Sequence, residues 1–165
     1  LVGSEMCIRD SLQGGTMKFF NQMIITGMLT KIAVTDWKEQ KIFNQDVTIL
    51  FCYCLMQLFF CLNQGEWGRL LFYVISGVCS ASGVLVLITI LSPGAFGGGD
   101  IKLMAAVGSL LGPVKSLYSL TAAIILCGIY ILAEMASGKI KRNSVVAFGP
   151  FLCAGILYHL WSMPI

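Results

Sequence analysis

The sequence predicts an all-α, polytopic integral membrane protein of about six transmembrane helices. Three observations lead there. Charged side chains supply only 12% of the 165 residues, against about 25% in a soluble domain. Apolar residues supply 57%, and the mean hydropathy is +0.84. The apolar residues also gather into successive runs separated by short polar stretches. Such a chain has too few polar side chains to cover a soluble globule, and too much apolar surface to stay disordered. At about 20 residues per spanning helix it holds about six spans and short loops, with no room for a separate soluble domain. The net charge of +3 is scattered, so no basic face marks a nucleic-acid partner. The lipid bilayer is the partner that the composition implies.

The elements follow in order. Residues 1–16 are mixed and polar, and Met17-Lys18-Phe19-Phe20 looks like a natural start. We read 1–16 as a non-native or disordered extension and 17–165 as one membrane-embedded domain. The first apolar run, 19–35, is interrupted by Asn21, Gln22 and Lys31, and no small-residue cleavage site closes it. An uncleaved first helix is expected. The second run, 47–62, is rich in Phe, Leu and Cys; the third, 70–91, carries no charge and is the clearest span. The fourth, 101–111, starts at a glycine-rich loop and stops at Gly112-Pro113, a helix breaker. The fifth, 117–136, contains one acid, Glu134, and the sixth is 145–162. The short second and fourth runs are marginal for a full crossing. They are expected to tilt, to extend into their flanks or to be partly re-entrant.

The cysteines add packing rather than chemistry. Cys52, Cys54, Cys61, Cys79, Cys127 and Cys153 lie in apolar runs and no CxxC pair occurs. Neither a disulfide framework nor a zinc knuckle is supported, and no metal site is expected. Gly108 with Gly112, and Gly77 with Ala81, form small-residue pairs suited to close helix packing. His159, the sole histidine, is expected at the interface opposite the acids considered next. Glu134 is expected to pair with Lys139 or to snorkel.

Positive charge orients the spans. With the 36–46 loop facing the cytoplasm, alternation puts 92–100 and 138–144 on the same side. That side collects Lys38, Lys41, Lys102, Lys139, Lys141 and Arg142, against Arg69 and Lys115 opposite, plus Lys18 at the amino end. The same topology lands Asp36 and Asp100 on one face.

Those two acids are the candidates for chemistry. Gly97-Gly98-Gly99 leads directly into Asp100 at the start of the fourth run. Three glycines free the backbone and let another chain approach, although Asp100 also suits an N-cap. An ionisable residue at a membrane boundary marks a functional site by default. Asp36 sits where the first run ends, with Trp37 and Lys38 beside it as possible interfacial anchors. Brought together, two carboxylates share a proton. One then works as general base on a water and the other as general acid. Exposed glycine backbone can hold an extended peptide as an added strand.

The stretch GGGDIKLMAAVG, Gly97 to Gly108, resembles the GxGD signature of intramembrane aspartic peptidases. It is most similar to the type IV prepilin leader peptidases, in the short form that serves Tad/Flp-type pili. In that family an aspartate ending the first helix is followed by an Ile-Pro-Asn element, and here Asp36 is followed by Ile42-Phe43-Asn44. Phe148-Gly149-Pro150-Phe151 resembles the start of the family's last helix. The resemblance implies an aspartic endopeptidase that cuts the basic leader from prepilins at the cytoplasmic face of the bacterial inner membrane. It implies Asp36 and Asp100 as the catalytic pair, with Gly97, Gly98, Gly99, Lys102 and Asn44 around the substrate. Water is then the nucleophile, and no cofactor is implied.

Departures from the pattern are Phe43 in place of the proline and Lys31 within the first helix. No cysteine-zinc motif of a methyltransferase region occurs in the sequence, so cleavage without N-methylation is the expectation. Two other readings stay open: a small transporter that uses Asp100 as an ion site, and an inactive relative that binds prepilins. The transporter reading makes Asp36 dispensable. The oligomeric state is not legible in the sequence.

Overall fold

The computed structural model describes residues 15–61, 67–92, 96–138 and 146–161. Six helices lie among them: α1 (Gly15–Glu39), α2 (Asn44–Cys61), α3 (Trp67–Leu91), α4 (Gly98–Leu111), α5 (Pro113–Ala136) and α6 (Gly149–Trp161). The described residues contain no strand, and the all-α expectation holds. Leu71–Leu91 in α3 and the whole of α5 are long and apolar enough to cross a membrane. Residues 1–14 of the expected extension, and Lys139, Lys141 and Arg142, lie outside the described residues.

α1 overruns its apolar run at both ends, and its polar interruptions have partners. Asn21 Nδ2 donates to Gln57 Oε1 of α2 at 3.1 Å, and Gln57 Nε2 returns a bond to Asn21 Oδ1 at 2.8 Å. The Tyr53 hydroxyl also donates to Asn21 Oδ1, at 2.9 Å. Gln22 Nε2 donates to the Leu160 carbonyl of α6 at 2.9 Å. Lys31 Nζ lies 2.6 Å from Asp46 Oδ1 at the start of α2. The side chains that weaken α1 as an isolated span therefore join it to its neighbours, as polar groups do between helices in lipid.

α4 packs against α3 and α2 most closely, then α5 and α6, while α1 packs chiefly on α6. The fully buried side chains Leu29, Leu50, Leu85, Leu103, Met104, Leu120 and Ile156 fill the space between them. Outward, Leu71, Phe72, Ile75 and Ile90 of α3 and Ile125, Ile129 and Leu132 of α5 are exposed, as a surface facing acyl chains requires. Between such helices dispersion must replace the hydrophobic effect, so close approach matters. A Cβ on Gly77 would collide with the Gly108 carbonyl, and one on Gly108 with the Gly77 carbonyl. The two small-residue stripes read from sequence thus meet each other, backbone on backbone.

The helices alternate in direction. One end of the bundle carries the end of α1 and the starts of α2, α4 and α6. The opposite end carries the Phe19–Trp161 ring contact at 6.1 Å and His159 stacked on Tyr118 at 5.9 Å. His159 is therefore remote from the acids, as expected.

Candidate active site

Asp36 and Asp100 both lie at the first of these ends and both are buried, 5% and 7% exposed. Each sits just outside the apolar run of its helix, 19–35 for Asp36 and 101–111 for Asp100. The charge of Asp36 acts on Asp100, so folding has placed at one end two residues far apart in sequence.

Asp100 is held locally. Gly97 is the N-cap of α4, with φ −74° and ψ 147°. Its N–H donates to Asp100 Oδ2 at 3.2 Å. Asp100 is thus at the third helical position rather than the N-cap, which corrects the capping role considered from sequence. A carboxylate there reaches back to the cap N–H and sits in the positive field of the helix start. The reciprocal half of a capping box is impossible, because the cap residue is glycine.

Asp36 is held by a distant element. In the last turn of α1, its Oδ2 accepts the N–H of Gly149, the first residue of α6, at 3.0 Å. A Cβ on Gly149 would strike this carboxylate. The start of α6 therefore presents a bare N–H and its helix dipole to Asp36, the arrangement that binds anions generally.

Burial pushes Asp100 up to about 6, the nearby Asp36 charge adds to the rise, and the Gly97 N–H offsets part of it. Burial also raises Asp36, with the Gly149 N–H acting against it. Among the described residues Asp100 Oδ1, which is buried, has no hydrogen-bond partner. The pair can hold one proton between them, with the greater tendency to keep it on Asp100.

The other expected site residues divide. A Cβ on Gly99 would come within 2.7 Å of Ile42 Cβ, so the loop after α1 packs onto the start of α4 through that glycine. Gly97 is moderately tight, 3.3 Å from Asp100 Oδ2 to a notional Cβ, whereas Gly98 faces open space. Lys102 Nζ donates to Asn44 Oδ1 at 3.0 Å. These two residues thus bind each other and link the starts of α4 and α2. Phe43 is 45% exposed, so the departure from proline points outward. Glu134 is half-buried, and its expected partner Lys139 is outside the described residues.

Sequence reasoning read Gly149 only as part of the last-helix motif and Cys153 only as packing, and it missed the aromatic pair Phe96–Phe148. Cys153 of α6 is 1% exposed. The Phe96 and Phe148 rings meet at 4.8 Å with an interplanar angle of 62°. A signal existed: the tripeptide Ala-Phe-Gly stands at 95–97 and again at 147–149. Among the described residues no group of three His, Cys, Asp or Glu could hold a metal ion.

Comparison with known proteins adds three findings. Residues 23–132 match the model of the type IV leader peptidase family. The chain is 26% identical over 150 residues to a Prepilin leader peptidase/N-methyltransferase of Bacillus subtilis (strain 168), which covers 90% of this chain but spans only 58% of that relative. No solved structure matches the chain.

Proposed function

This chain belongs to the type IV leader peptidase family, and from that premise we propose that it is a membrane aspartic endopeptidase with Asp36 and Asp100 as its catalytic pair. The observation that carries the proposal is the pair itself. Two acids from separate helices are buried at one end of the bundle, with the charge of Asp36 raising Asp100, and each accepts a backbone N–H from a glycine. Burying two carboxylates together is costly, and it makes chemical sense where a shared proton is used.

In the proposed reaction Asp36, favoured as the anion by the Gly149 N–H, takes a proton from water as the oxygen attacks the scissile carbonyl carbon. Asp100, raised to about 6, gives its proton to the carbonyl oxygen. The tetrahedral diol then collapses. Asp36 passes its proton to the leaving amine, the C–N bond breaks, and Asp100 recovers a proton from the diol hydroxyl. The exposed glycines Gly97 and Gly98 carry no side chain to keep an extended peptide away from Asp100; Lys102 and Asn44 border that approach.

The substrates proposed are Flp-like prepilins, cut between a basic leader and the apolar helix that follows. The proposed setting is the bacterial inner membrane, with 17–165 as one multi-pass domain and the pair facing the cytoplasm. Lys38, Lys41 and Lys102 at that end favour this orientation. The proposal takes up the peptidase in the relative's name and leaves methyl transfer aside.

The test is cleavage of a panel of prepilins in membranes by wild type, Asp36→Asn and Asp100→Asn. Cleavage by wild type should fall by about 10³-fold or more in each variant at equal protein level. Retained cleavage in Asp36→Asn overturns the shared-proton mechanism and leaves Asp36 an interfacial anchor, whereas a wild type that cuts nothing in the panel favours the transporter and inactive-relative readings.

A further inference from the structure

Asp36 and Asp100 belong to helices that are not close packing partners: α1 rests chiefly on α6, and α4 on α3 and α2. Something else must hold the two acids in register. Among the described residues each carboxylate has one hydrogen bond, from the Gly97 N–H to Asp100 and from the Gly149 N–H to Asp36. Each of those glycines directly follows a phenylalanine, and the two phenylalanine rings are packed together. The backbone at or beside each ring is tied into a helix start: the O of Gly97, next to Phe96, accepts the N–H groups of Asp100 and Ile101, and Phe148 O accepts those of Phe151 and Leu152. Both side chains pack against the buried core. The path Asp100–Gly97–Phe96–Phe148–Gly149–Asp36 thus joins the acids by two hydrogen bonds, two peptide links and one ring contact.

We propose that the Phe96–Phe148 contact is a clasp that sets the separation of the two carboxylates, with both phenylalanines acting as positioning residues for the pair. The rings touch neither carboxylate in any described hydrogen bond; they act through the glycine that follows each. Edge-on aromatic packing suits this role, because it fixes both distance and orientation. The clasp lies partly beyond the part of the chain that matches the family, which ends at residue 132. The inference rests on the reading of Asp36 and Asp100 as the working pair.

The test reads the protonation of the pair directly. The full chain, in phosphatidylcholine vesicles, is titrated by infrared spectroscopy of the protonated carboxyl band. Asp100→Asn and Asp36→Asn assign the band. Other ionisable side chains on the surrounding helices are Cys153 on α6, Lys102 on α4 turned to Asn44, Asp46 on α2 turned to Lys31, Glu134 on α5, and exposed Lys38 and Glu39 on α1. None of these carboxyls is removed by the assigning variants.

Wild type should titrate in two separated steps. Phe96→Ala and Phe148→Ala should bring the steps together by about one pH unit, since parted carboxylates no longer oppose each other's ionisation. The double variant should move them no further than either single one. Should an alanine variant fail to fold, Phe96→Leu and Phe148→Leu decide, with a smaller shift expected in the same direction. Steps at wild-type positions in the folded variants overturn the clasp, as does an additive double variant. The failure of the peptidase reading is separate: prepilins uncut by wild type, or cut by Asp36→Asn, would defeat that reading while the titration still decides the clasp.

Discussion

The start of α4 and the end of α1 place the same functional group by opposite means. Asp100 takes its hydrogen bond from Gly97, three residues earlier in the same turn. Asp36 takes its bond from Gly149, 113 residues away. The first arrangement is made by local chain geometry and forms whenever α4 forms. The second exists only when α6 has docked on α1. The pair is therefore no better aligned than the α1–α6 contact, and substitutions at the two glycines should separate the two modes.

Gly149→Ala should have the largest effect. Its Cβ would enter the Asp36 carboxylate, displacing it by an ångström or so and lowering cleavage by about 10²-fold. Gly97→Ala meets Asp100 Oδ2 less closely, at 3.3 Å, and should lose less than about 10-fold. Equal losses in a prepilin cleavage assay would erase the distinction between the two modes.

Gly99→Ala comes next, because it tests the seam where the two regions touch. Its Cβ would sit 2.7 Å from Ile42 Cβ, an overpacking that costs about 1–3 kcal/mol. In a chain that carries Ile42→Gly, which removes the clashing Cβ, Gly99→Ala should cost clearly less in thermal unfolding than it does alone. Gly98→Ala, which faces open space, should be near neutral, and a large loss there would instead indicate a demand of the bound peptide.

A pH test sharpens the electrostatic side. Asp100 is raised from 3.8 to about 6 in the folded chain, so the native state binds the extra proton more tightly than the unfolded one. Its favourable contribution is present at acid pH and is lost as pH rises through that window. Thermal stability should decline across it, and Asp100→Asn should flatten the decline. Asp36→Asn should shift the window to lower pH by removing the neighbouring charge.

The smallest effect belongs to Gln40, which follows α1 with φ +51°, a left-handed conformation suited to glycine. Gln40→Gly should stabilise the chain by up to about 1 kcal/mol, measurable as a small rise in Tm.

What the sequence revealed follows from which interactions are local. The spans α3 and α5 are legible because their apolar runs are unbroken. The Asp100 turn is legible because its glycines and acid are neighbours. The strength of α1 is not, because Asn21, Gln22 and Lys31 find their partners in Gln57, Leu160 and Asp46. A polar residue in an apolar run reads as a defect until its partner on another helix is known. Gly149 was hidden for the same reason: nothing near it in sequence announces a carboxylate against its Cα.

The Gly77–Gly108 contact leaves main chain against main chain, with no side chain between them to change rotamer. Such a joint has no slack, so α3 and α4 behave as a single stator, and Asp100 is fixed in its frame. α1 is a different kind of part. It is tied to its neighbours by amide and indole hydrogen bonds from Asn21, Gln22 and Trp161, all near the end remote from Asp36. Toward the Asp36 end α1 is tied through the Lys31–Asp46 pair, the Trp37–Tyr130 ring contact and the Asp36–Gly149 hydrogen bond, each made by a side chain of α1 that can change rotamer, so Asp36 is the carboxylate whose alignment depends on side-chain torsions.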